Sequence, residues 1–283
     1  MLTLLKLLKD GRFHSGEALG AALGVSRSAV WKQLQHLEAE LGLTIHKVRG
    51  RGYQLPSPLV LLSADEIALR SQVCAGSVFI SDTIDSTNAE ALRLIDAGQA
   101  APFLVLSEQQ TAGRGRRGRK WVSPFAQNVY YSLVLRIDGG LRQLEGLSLV
   151  VGLAVMQTLR DLGVNGSGLK WPNDVLVGAK KVAGILLELV GDPADVCHVV
   201  LGIGINANMQ SAAQVDQQWT SIQLETGRAV DRNHLVAHLS QALQVYLERH
   251  RGSGFSVIRE EWERNHLWQG KAVSLIAGVN QGD

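Results

Sequence analysis

The first forty residues carry the apolar spacing of three short helices. In the first helix, apolar residues recur at i, i+3, i+4 and i+7, which places Met1, Leu4, Leu5 and Leu8 on one face. Two more helices are predicted after the N-cap residues Ser15 and Ser26. Gly24 and Gly42 would end them, because glycine adopts the left-handed conformation without a Cβ penalty. The predicted buried faces are Leu19, Ala22 and Leu23 in the second helix, and Val30, Leu34, Leu37 and Leu41 in the third.

A hairpin and a linker follow the third helix. Strands are predicted at Thr44–Val48 and Tyr53–Leu55, on either side of the turn Arg49–Gly52. Two prolines then stiffen the chain, so residues 57–62 are interpreted as a linker. Three helices, the last two joined by a tight glycine turn, followed by a hairpin, are typical of a winged helix-turn-helix.

Beyond the linker, strand patterns alternate with helix patterns. The capping-box spacing of Ser63–Glu66 predicts that a helix begins there. Short glycine turns separate several strands, so the predicted sheet is mixed rather than wholly parallel. The predicted strands are 78–82, 103–108, 128–136, 174–178, 181–190 and 196–206, and the predicted helices lie near 87–97, 144–162, 233–250 and 255–264.

Composition limits the class of protein. The chain has 283 residues, of which 46% are hydrophobic and 19% charged, as in a globular protein of about two domains. The net charge is only +2, but residues 1–55 hold eight basic and four acidic side chains. Cys74 and Cys197 lie far apart without metal-ligand spacing, which fits a reducing compartment and argues against a disulfide framework or a zinc site.

Targeting signals are not predicted. Lys6 and Lys9 interrupt the N-terminal apolar stretch, and no small-residue cleavage site follows it. The longest apolar stretch, residues 147–159, contains Ser148, Gly152 and Gln157 and is not expected to span a membrane. A soluble cytoplasmic protein with no membrane partner is the expectation.

The third helix and the hairpin turn form a candidate DNA-binding surface. Their polar side chains can donate to phosphates or base edges, and a small helical domain with a solvated basic face is the alternative. One such unit makes few phosphate contacts, so a dimer is expected on DNA. The candidate DNA-binding residues are Ser26, Arg27, Ser28, Trp31, Lys32, Gln35, Arg49 and Arg51.

The segment Thr111–Trp121 is unusually basic. It holds five basic residues, three glycines and no acidic residue. Composition alone would suggest a disordered RNA-binding or localisation patch. Because the segment lies between two predicted strands, a loop that orders over an anionic ligand is favoured. It is not a Walker loop, since GxxxxGK[ST] is absent from it.

Four other segments combine polar side chains with predicted element ends. Residues 170–174 place a lysine near a carboxylate, and 178–184 place Lys181 at the start of a strand. A solvated turn is the alternative for this hairpin. Asp85–Asn88 resembles a helix N-cap and could also bind a small polar ring. The glycines of Gly202–Asn206 face either a ligand or a closely packed helix.

Together these segments resemble the biotin–protein ligase family. The winged helix narrows the resemblance to the bifunctional bacterial type, in which the ligase also represses biotin-synthesis genes. The matching pieces, in the family's order, are Asp85–Asn88, Gln110, Gly113–Trp121, Lys170–Asp174, Lys180–Gly184 and Gly202–Asn206.

The resemblance implies an α+β fold with three folded parts. It implies a mixed-sheet catalytic domain similar to class II aminoacyl-tRNA synthetases, and a small SH3-like C-terminal domain. Lys271–Ala277 looks like the first strand of that small domain, yet the chain stops at Asp283, so this domain is expected to be truncated or missing. The implied division is a winged helix at 1–56, a linker at 57–62, a catalytic domain at 63–267 and the start of the SH3-like domain at 268–283.

The resemblance also implies a two-step reaction. Biotin carboxylate attacks the α-phosphorus of ATP to give biotinyl-5′-AMP, and a lysine of a biotin carboxyl carrier protein then accepts the biotin. Operator DNA and, with the adenylate bound, a second copy of the chain are further implied partners. Mg²⁺ is implied as a bridge between phosphates, near Asp174 and Asn206, with no ligand assigned.

Residue roles follow from the same resemblance. Lys181 and Arg116 are the implied catalytic residues. The implied biotin-binding set is Ser86, Thr87, Asn88, Gln110, Arg114, Gly115, Arg116, Lys181, Gly184 and Gly202; the implied nucleotide-binding set is Arg117, Arg119, Trp121, Lys170, Asn173, Asp174, Asn206 and Trp219.

Two other functions compete with this interpretation. A transcription regulator whose second domain only senses a small molecule would explain the winged helix, but not the arginine loop followed by Lys181. A lipoate-type ligase would share the catalytic fold, but the arginine pattern and Asp85–Asn88 favour biotin.

Overall fold

The N-terminal unit consists of three helices and a hairpin. The computed structural model describes residues 2–70, 76–138, 140–192 and 196–272. Ser15 Oγ accepts from Ala18 N at 3.0 Å and Ser26 Oγ accepts from Ala29 N at 3.2 Å, which confirms both predicted N-caps. The elements are α1 (Leu2–Leu8), α2 (Gly16–Leu23), α3 (Arg27–Leu41), β1 (His46–Val48) and β2 (Gly52–Gln54).

The predicted burial of this unit is confirmed apart from Leu23 and Ala22 of α2, and Leu23 is only partly buried. The apolar stripes of α1 and α3 are buried, and Met1 lies outside the described residues. Ala22 is exposed, so that prediction was wrong. The buried stripe of α2 runs through Gly16, Leu19 and Gly20, and Ala22 is displaced from it around the helix axis.

The hairpin is shorter than predicted. Its first strand begins at His46 rather than Thr44, and its second is Gly52–Gln54 rather than Tyr53–Leu55. Ile45 N donates to Glu38 Oε1 at 3.1 Å, so this amide is used by a side chain of α3 instead of the ladder.

The rest of the described chain is built on one mixed sheet. Its helices are α4 (Ala64–Arg70), α5 (Thr87–Asp96), α6 (Leu147–Asp161), α7 (Ile222–Thr226), α8 (Arg232–Ser253) and α9 (Ser256–Asn265). Its strands are β3 (Ser77–Ser81), β4 (Phe103–Ser107), β5 (Val129–Ile137), β6 (Ser167–Lys170), β7 (Asp174–Val177), β8 (Lys180–Gly191) and β9 (Cys197–Ile205).

The sheet has the order β3-β4-β5-β9-β8-β7-β6. β3 and β4 are parallel and every other neighbouring pair is antiparallel, which confirms the mixed sheet. The short strand β6 and helix α7 were not among the predicted elements.

Side chains alternate between the two faces of the sheet, as the period of a strand requires. One face packs on the main core, to which β9 contributes Val199, Leu201 and Ile203 and helices α6 and α8 their apolar stripes. The opposite face has a smaller core beneath α5, to which β9 contributes Val200. The glycines that follow Val200 on this second face leave room there for a cleft.

A buried ion pair anchors the linker. Glu108 and Arg232 side chains are each 2% exposed, and Arg232 Nη1 lies 2.6 Å from Glu108 Oε2. Glu108 Oε1 accepts from Leu62 N at 2.5 Å, and Arg232 Nη2 donates to Val60 O at 2.8 Å. Asn233 adds a bond from its amide to Leu61 O. The segment after the winged helix is therefore fastened to the sheet domain by buried charges.

Two sequence expectations concern membrane-spanning helices and the strand predicted near the C-terminus. No helix within the described residues is long and apolar enough to cross a membrane. The strand predicted at Lys271–Ala277 lies outside the described residues from position 273 onward.

Candidate active site

An open cleft lies on the α5 face of the sheet. About 470 Å³ of empty space lies within it, a volume that includes open solvent. Its walls come from the start of α5, the arginine loop 111–121, strands β5, β8 and β9, and the turn before β7. The lining residues are Ser86, Thr87, Asn88, Gln110, Arg114, Gly115, Arg116, Trp121, Tyr130, Asn173, Lys181, Gly184, Ile185, Leu186, Gly202, Ile203 and Gly204.

Strand register builds the cleft floor. Gly202 on β9 lies opposite Ser132 on β5 and Leu186 on β8. A Cβ on Gly202 would collide with the Asn88 side chain, and one on Gly204 would collide with the Trp121 ring. The glycines therefore allow α5 and the arginine loop to approach the sheet closely.

One end of the cleft is a network of neutral polar groups. Gln110 Oε1 accepts from Thr87 N at 2.8 Å, and Gln110 Nε2 donates to Ser123 Oγ at 2.9 Å. The Ser132 hydroxyl is fully buried and lies 2.8 Å from Thr87 Oγ1 and 2.5 Å from Asn88 Oδ1. These donors and acceptors suit a small polar ring better than an anion.

The other end is cationic. Lys181 Nζ lies 2.7 Å from Asp174 Oδ1, and both side chains are less than one-fifth exposed. The same ammonium lies 5.3 Å from the centroid of the Trp121 ring. Arg116 Nη1 donates to Asn173 Oδ1 at 3.1 Å. Lys181 and Arg116 therefore supply positive charge to the cleft.

Trp121 forms a wall of the cleft. Its ring packs over Gly204 and near Gly184, and its indole Nε1 is buried without a hydrogen-bond partner. Buried indole N–H groups usually have an acceptor, and none lies within hydrogen-bond distance of this one in the described residues.

The arginine loop is a closed turn in this structure. Gly115 N donates to Arg119 O at 2.7 Å and Trp121 N donates to Gly113 O at 2.9 Å. Arg117 adopts a left-handed φ of 56° at the tip. Both Arg117 and Arg119 are exposed, and neither lines the cleft.

The predicted biotin-binding and nucleotide-binding residues differ in how many of them line the cleft. All ten residues of the predicted biotin set line the cleft, whereas Trp121 and Asn173 are the lining members of the predicted nucleotide set. Asp174 and Trp219 lie beside Lys181, through the ion pair and a backbone bridge respectively. Lys170 Nζ instead lies 5.1 Å from the centroid of the Trp268 ring.

Asn206 is held by the backbone around it. Its Nδ2 donates to Thr220 O at 2.9 Å, and its own N donates to Val182 O at 2.9 Å. This arrangement favours a structural role that ties β9 to the segment after Trp219.

Sequence reasoning missed several residues of the site. Ser132, Tyr130 and Glu188 lie on the same face of the sheet as the cleft glycines, on strands that were predicted only as strands. Strand alternation could have placed them on one face, but their alignment depends on the register between distant strands.

Two groups near the cleft have shifted pKa values. The Arg93 guanidinium, which pairs with both carboxylate oxygens, holds the pKa of Asp85 at about 2, and Ser86 N–H adds to this effect. Burial raises the pKa of Tyr130 far above its usual range, so its hydroxyl stays protonated and donates to Pro124 O at 2.8 Å.

The candidate DNA-binding residues all lie on the surface of the N-terminal unit. Each of the eight is exposed. Ser26 caps α3, and Arg51 lies over the Phe13 ring at 4.1 Å.

Known protein families match both the sheet domain and the N-terminal unit. The profile of the biotin/lipoate A/B protein ligase family matches residues 80–206, and that of an HTH domain matches residues 1–54. The bifunctional ligase/repressor BirA of Salmonella typhimurium is 42% identical over 98% of this chain and 86% of that protein. This chain belongs to the biotin/lipoate A/B protein ligase family.

Other relatives agree with this placement. The bifunctional ligase/repressor BirA of Bacillus spizizenii is 35% identical over 89% of this chain and 78% of that protein. Biotin protein ligase from Aquifex aeolicus, solved in complex with biotin and ATP, superposes with a TM-score of 0.59 at 29% identity. It covers 68% of this chain and 79% of the solved chain.

Proposed function

We propose that the protein is an ATP-dependent biotin–protein ligase that also acts as a biotin-responsive repressor. The observation that carries the ligase is the cleft, where a neutral polar end and a cationic end share one small volume. Biotin has a neutral bicyclic urea at one end and a carboxylate at the other, so its two ends match the two ends of the cleft. The family membership and the bifunctional relatives support the same conclusion.

In the first step, a carboxylate oxygen of biotin attacks the α-phosphorus of ATP and pyrophosphate leaves. We assign Ser86, Thr87, Asn88 and Gln110 to the ureido end. Lys181 and Arg116 are assigned to the meeting point of carboxylate and phosphate, where they offset the charge that accumulates. Partial burial strengthens this attraction relative to a surface cation.

In the second step, the amine of a carrier lysine attacks the acyl carbon of biotinyl-5′-AMP, and AMP leaves. We assign the adenine side to Trp219 and the loop around it, because Trp219 pairs through its backbone with Lys181. A carboxyl carrier protein is the proposed acceptor, and a relative from Paracoccus denitrificans is named as a ligase of biotin to acetyl-CoA carboxylase.

Mg²⁺ is proposed to accompany ATP. Within the described ranges no cluster of three or more His, Cys, Asp or Glu could hold a metal by itself. Asp174 supplies a carboxylate beside the cationic end, and one carboxylate with substrate phosphates is an ordinary donor set for Mg²⁺. When bound, the ion would neutralise phosphate charge.

The repressor function rests on the HTH match and on the exposed polar face of α3. A dimer would present two such faces to two half-sites. Along β8, residues 186–191 pair with β9 on one side, and no described strand pairs with the other side. We propose that this edge joins a second copy when the adenylate is bound.

We also propose that the chain divides at 1–56, 57–62 and 63–267. The separate apolar core of the winged-helix unit supports this division, although Phe125 and Ala126 of the sheet domain pack into that core. A class II synthetase-like catalytic fold, an SH3-like segment from 268 and a cytoplasmic location complete the proposal.

Pyrophosphate exchange tests the ligase. The protein is incubated with ATP, Mg²⁺, labelled pyrophosphate and either biotin or lipoate. Label should enter ATP only with biotin. Exchange with lipoate alone would indicate a lipoate-type ligase, and exchange with neither would indicate a sensor without ligase activity. Sedimentation with no ligand, with biotin and with a non-hydrolysable adenylate analogue tests the dimer, which should form best with the analogue.

A further inference from the structure

Glu188 connects two walls of the cleft without lining it. Its Oε2 accepts from Asn88 Nδ2 at 2.7 Å and lies 2.9 Å from Arg114 Nη2. Asn88 belongs to α5 and Arg114 to the arginine loop, while Glu188 lies in the second half of β8. One carboxylate thus holds three separate segments together.

The contact with Asn88 fixes the orientation of that amide. A carboxylate only accepts hydrogen bonds, so the amide must direct its NH₂ group toward Glu188. Asn88 Oδ1 then faces the buried Ser132 hydroxyl, 2.5 Å away. The charge on Glu188 therefore orders the neutral polar end of the cleft.

The contact with Arg114 fastens the arginine loop. The loop begins with backbone bonds from Thr111 N and Ala112 N to residues 84 and 85. Farther along, the Trp121 ring packs on the sheet, and two arginine side chains form hydrogen bonds to the sheet domain: Arg114 with Glu188, and Arg116 with Asn173. Of these two, the first joins opposite charges and is the stronger.

We propose that Glu188 is a positioning residue that latches the arginine loop to β8 and orients Asn88 at the same time. The inference rests on the biotin cleft proposed above. With the latch closed, a bound biotinyl-5′-AMP is retained until a carrier lysine reaches it. Without it, biotin binds more weakly and the adenylate escapes sooner, while Lys181 and Arg116 keep their own partners.

The test compares Glu188→Ala and Glu188→Gln with the matched control Glu261→Gln. Glu261 pairs with Arg249 at 2.9 Å and accepts from the Tyr246 hydroxyl. The Glu261 and Arg249 side chains are 26% and 42% exposed. These values match the 25% and 40% exposure of the Glu188 and Arg114 side chains. The measurements are KM and kcat for biotin in pyrophosphate exchange, the release rate of labelled adenylate without carrier, and the melting temperature.

In Glu188→Ala, KM for biotin and the adenylate release rate should each rise about tenfold, the effect of one charged hydrogen bond at a half-exposed site. The kcat should change much less. Glu188→Gln, which keeps the shape, should lie between wild type and Glu188→Ala, and the control should match wild type. Arg114→Ala should release adenylate faster. Adding Glu188→Ala to it should speed release little further, but KM for biotin should still rise because the contact with Asn88 is lost.

One result would overturn the latch but leave the proposed biotin site intact. In that result, KM for biotin and the adenylate release rate are unchanged in Glu188→Ala, whereas both change in Arg114→Ala. A lowered KM for biotin in Glu188→Gln would show that the carboxylate only repels the ligand, and this result would also overturn the latch. If neither Glu188→Ala nor Arg114→Ala altered KM, the biotin site itself would be wrong. If Glu188→Ala melts early, the isosteric Glu188→Gln decides the question, because it preserves packing.

Discussion

The candidate DNA-binding surface and the proposed biotin cleft are assembled in opposite ways. Six of the eight candidate DNA-binding residues lie between positions 26 and 35, on one helix and its cap. The cleft draws its lining from positions 86 to 204, and the lining residues of the central strands β5, β9 and β8 lie at one end of the sheet. Helix periodicity sets the first surface, whereas strand register sets the second.

The two surfaces also differ in their electrostatics. Arg27 and Lys32 are exposed, so salt screens their charges and each acts nearly alone. Lys181 is 16% exposed and already paired with Asp174, so its charge acts in a less screened setting. A single substitution should therefore lower DNA affinity by a modest amount, whereas a single substitution in the cleft should reduce activity severely. Four predictions test this contrast.

The largest effect is expected where the two regions are joined. Arg232→Met removes the partner of the buried Glu108 and should lower the free energy of unfolding by about 3–5 kcal/mol, because a buried charge is left uncompensated. Urea denaturation measures the change. Arg264→Met, in an exposed pair with Glu260, serves as the control and should cost less than about 1 kcal/mol. Adding Glu108→Gln to Arg232→Met should restore part of the loss; equal stability of Arg232→Met and wild type would contradict a structural role for the pair.

The next effect concerns catalysis. Lys181→Ala should slow adenylate formation by about 10²–10³, because one preorganised cation facing the transition state is lost. The neighbouring Lys180 is exposed, and Lys180→Ala should retain activity. Single-turnover formation of adenylate, with circular dichroism to verify folding, measures both variants. Near-normal turnover in Lys181→Ala would remove this residue from the mechanism.

A smaller, salt-dependent effect is expected on DNA. Replacing Arg27 and Lys32 with alanine should weaken operator binding and reduce the log–log salt slope by about one unit for each lost phosphate contact. Fluorescence anisotropy at several salt concentrations measures the slope, and an Arg251→Ala, Arg259→Ala double variant controls for net charge. Biotin transfer measured in parallel should persist, and its loss would refute the separation of the two surfaces.

The smallest effect concerns Asp85 at the start of α5. Its folded pKa of about 2 is below the ordinary value of 3.8, so its pairing with Arg93 stabilises the fold above pH 4 and is lost as pH falls toward 2. Because the Asp85 side chain is 46% exposed, Asp85→Asn should cost less than about 1 kcal/mol at pH 7. Thermal melts from pH 7 to pH 2 should show the gap between wild type and variant closing between pH 4 and pH 2. A gap that stays constant with pH would mean that the charge on Asp85 contributes nothing.

Local sequence signals predicted much of this protein. The caps Ser15 and Ser26 and the stripes of α1 and α3 depend on residues within a few positions of one another, so periodicity and capping chemistry suffice. The arginine loop and the glycines of β9 were also recognisable, because glycine and arginine mark close backbone approach and anion binding. Ala22 was misassigned because several apolar stripes can be drawn on a short helix.

The tertiary structure alone decided which residues meet. Residues such as Glu188, Ser132 and Asn88 lie up to 100 positions apart, and their contacts exist because β5, β9 and β8 pair in one register. The partners Glu108 and Arg232 are farther apart still, and no local pattern marks them as a pair. Sequence determined the elements and the kinds of chemistry available, since both depend on near neighbours. Strand pairing and helix packing determined the geometry, since those are interactions between distant parts of the chain.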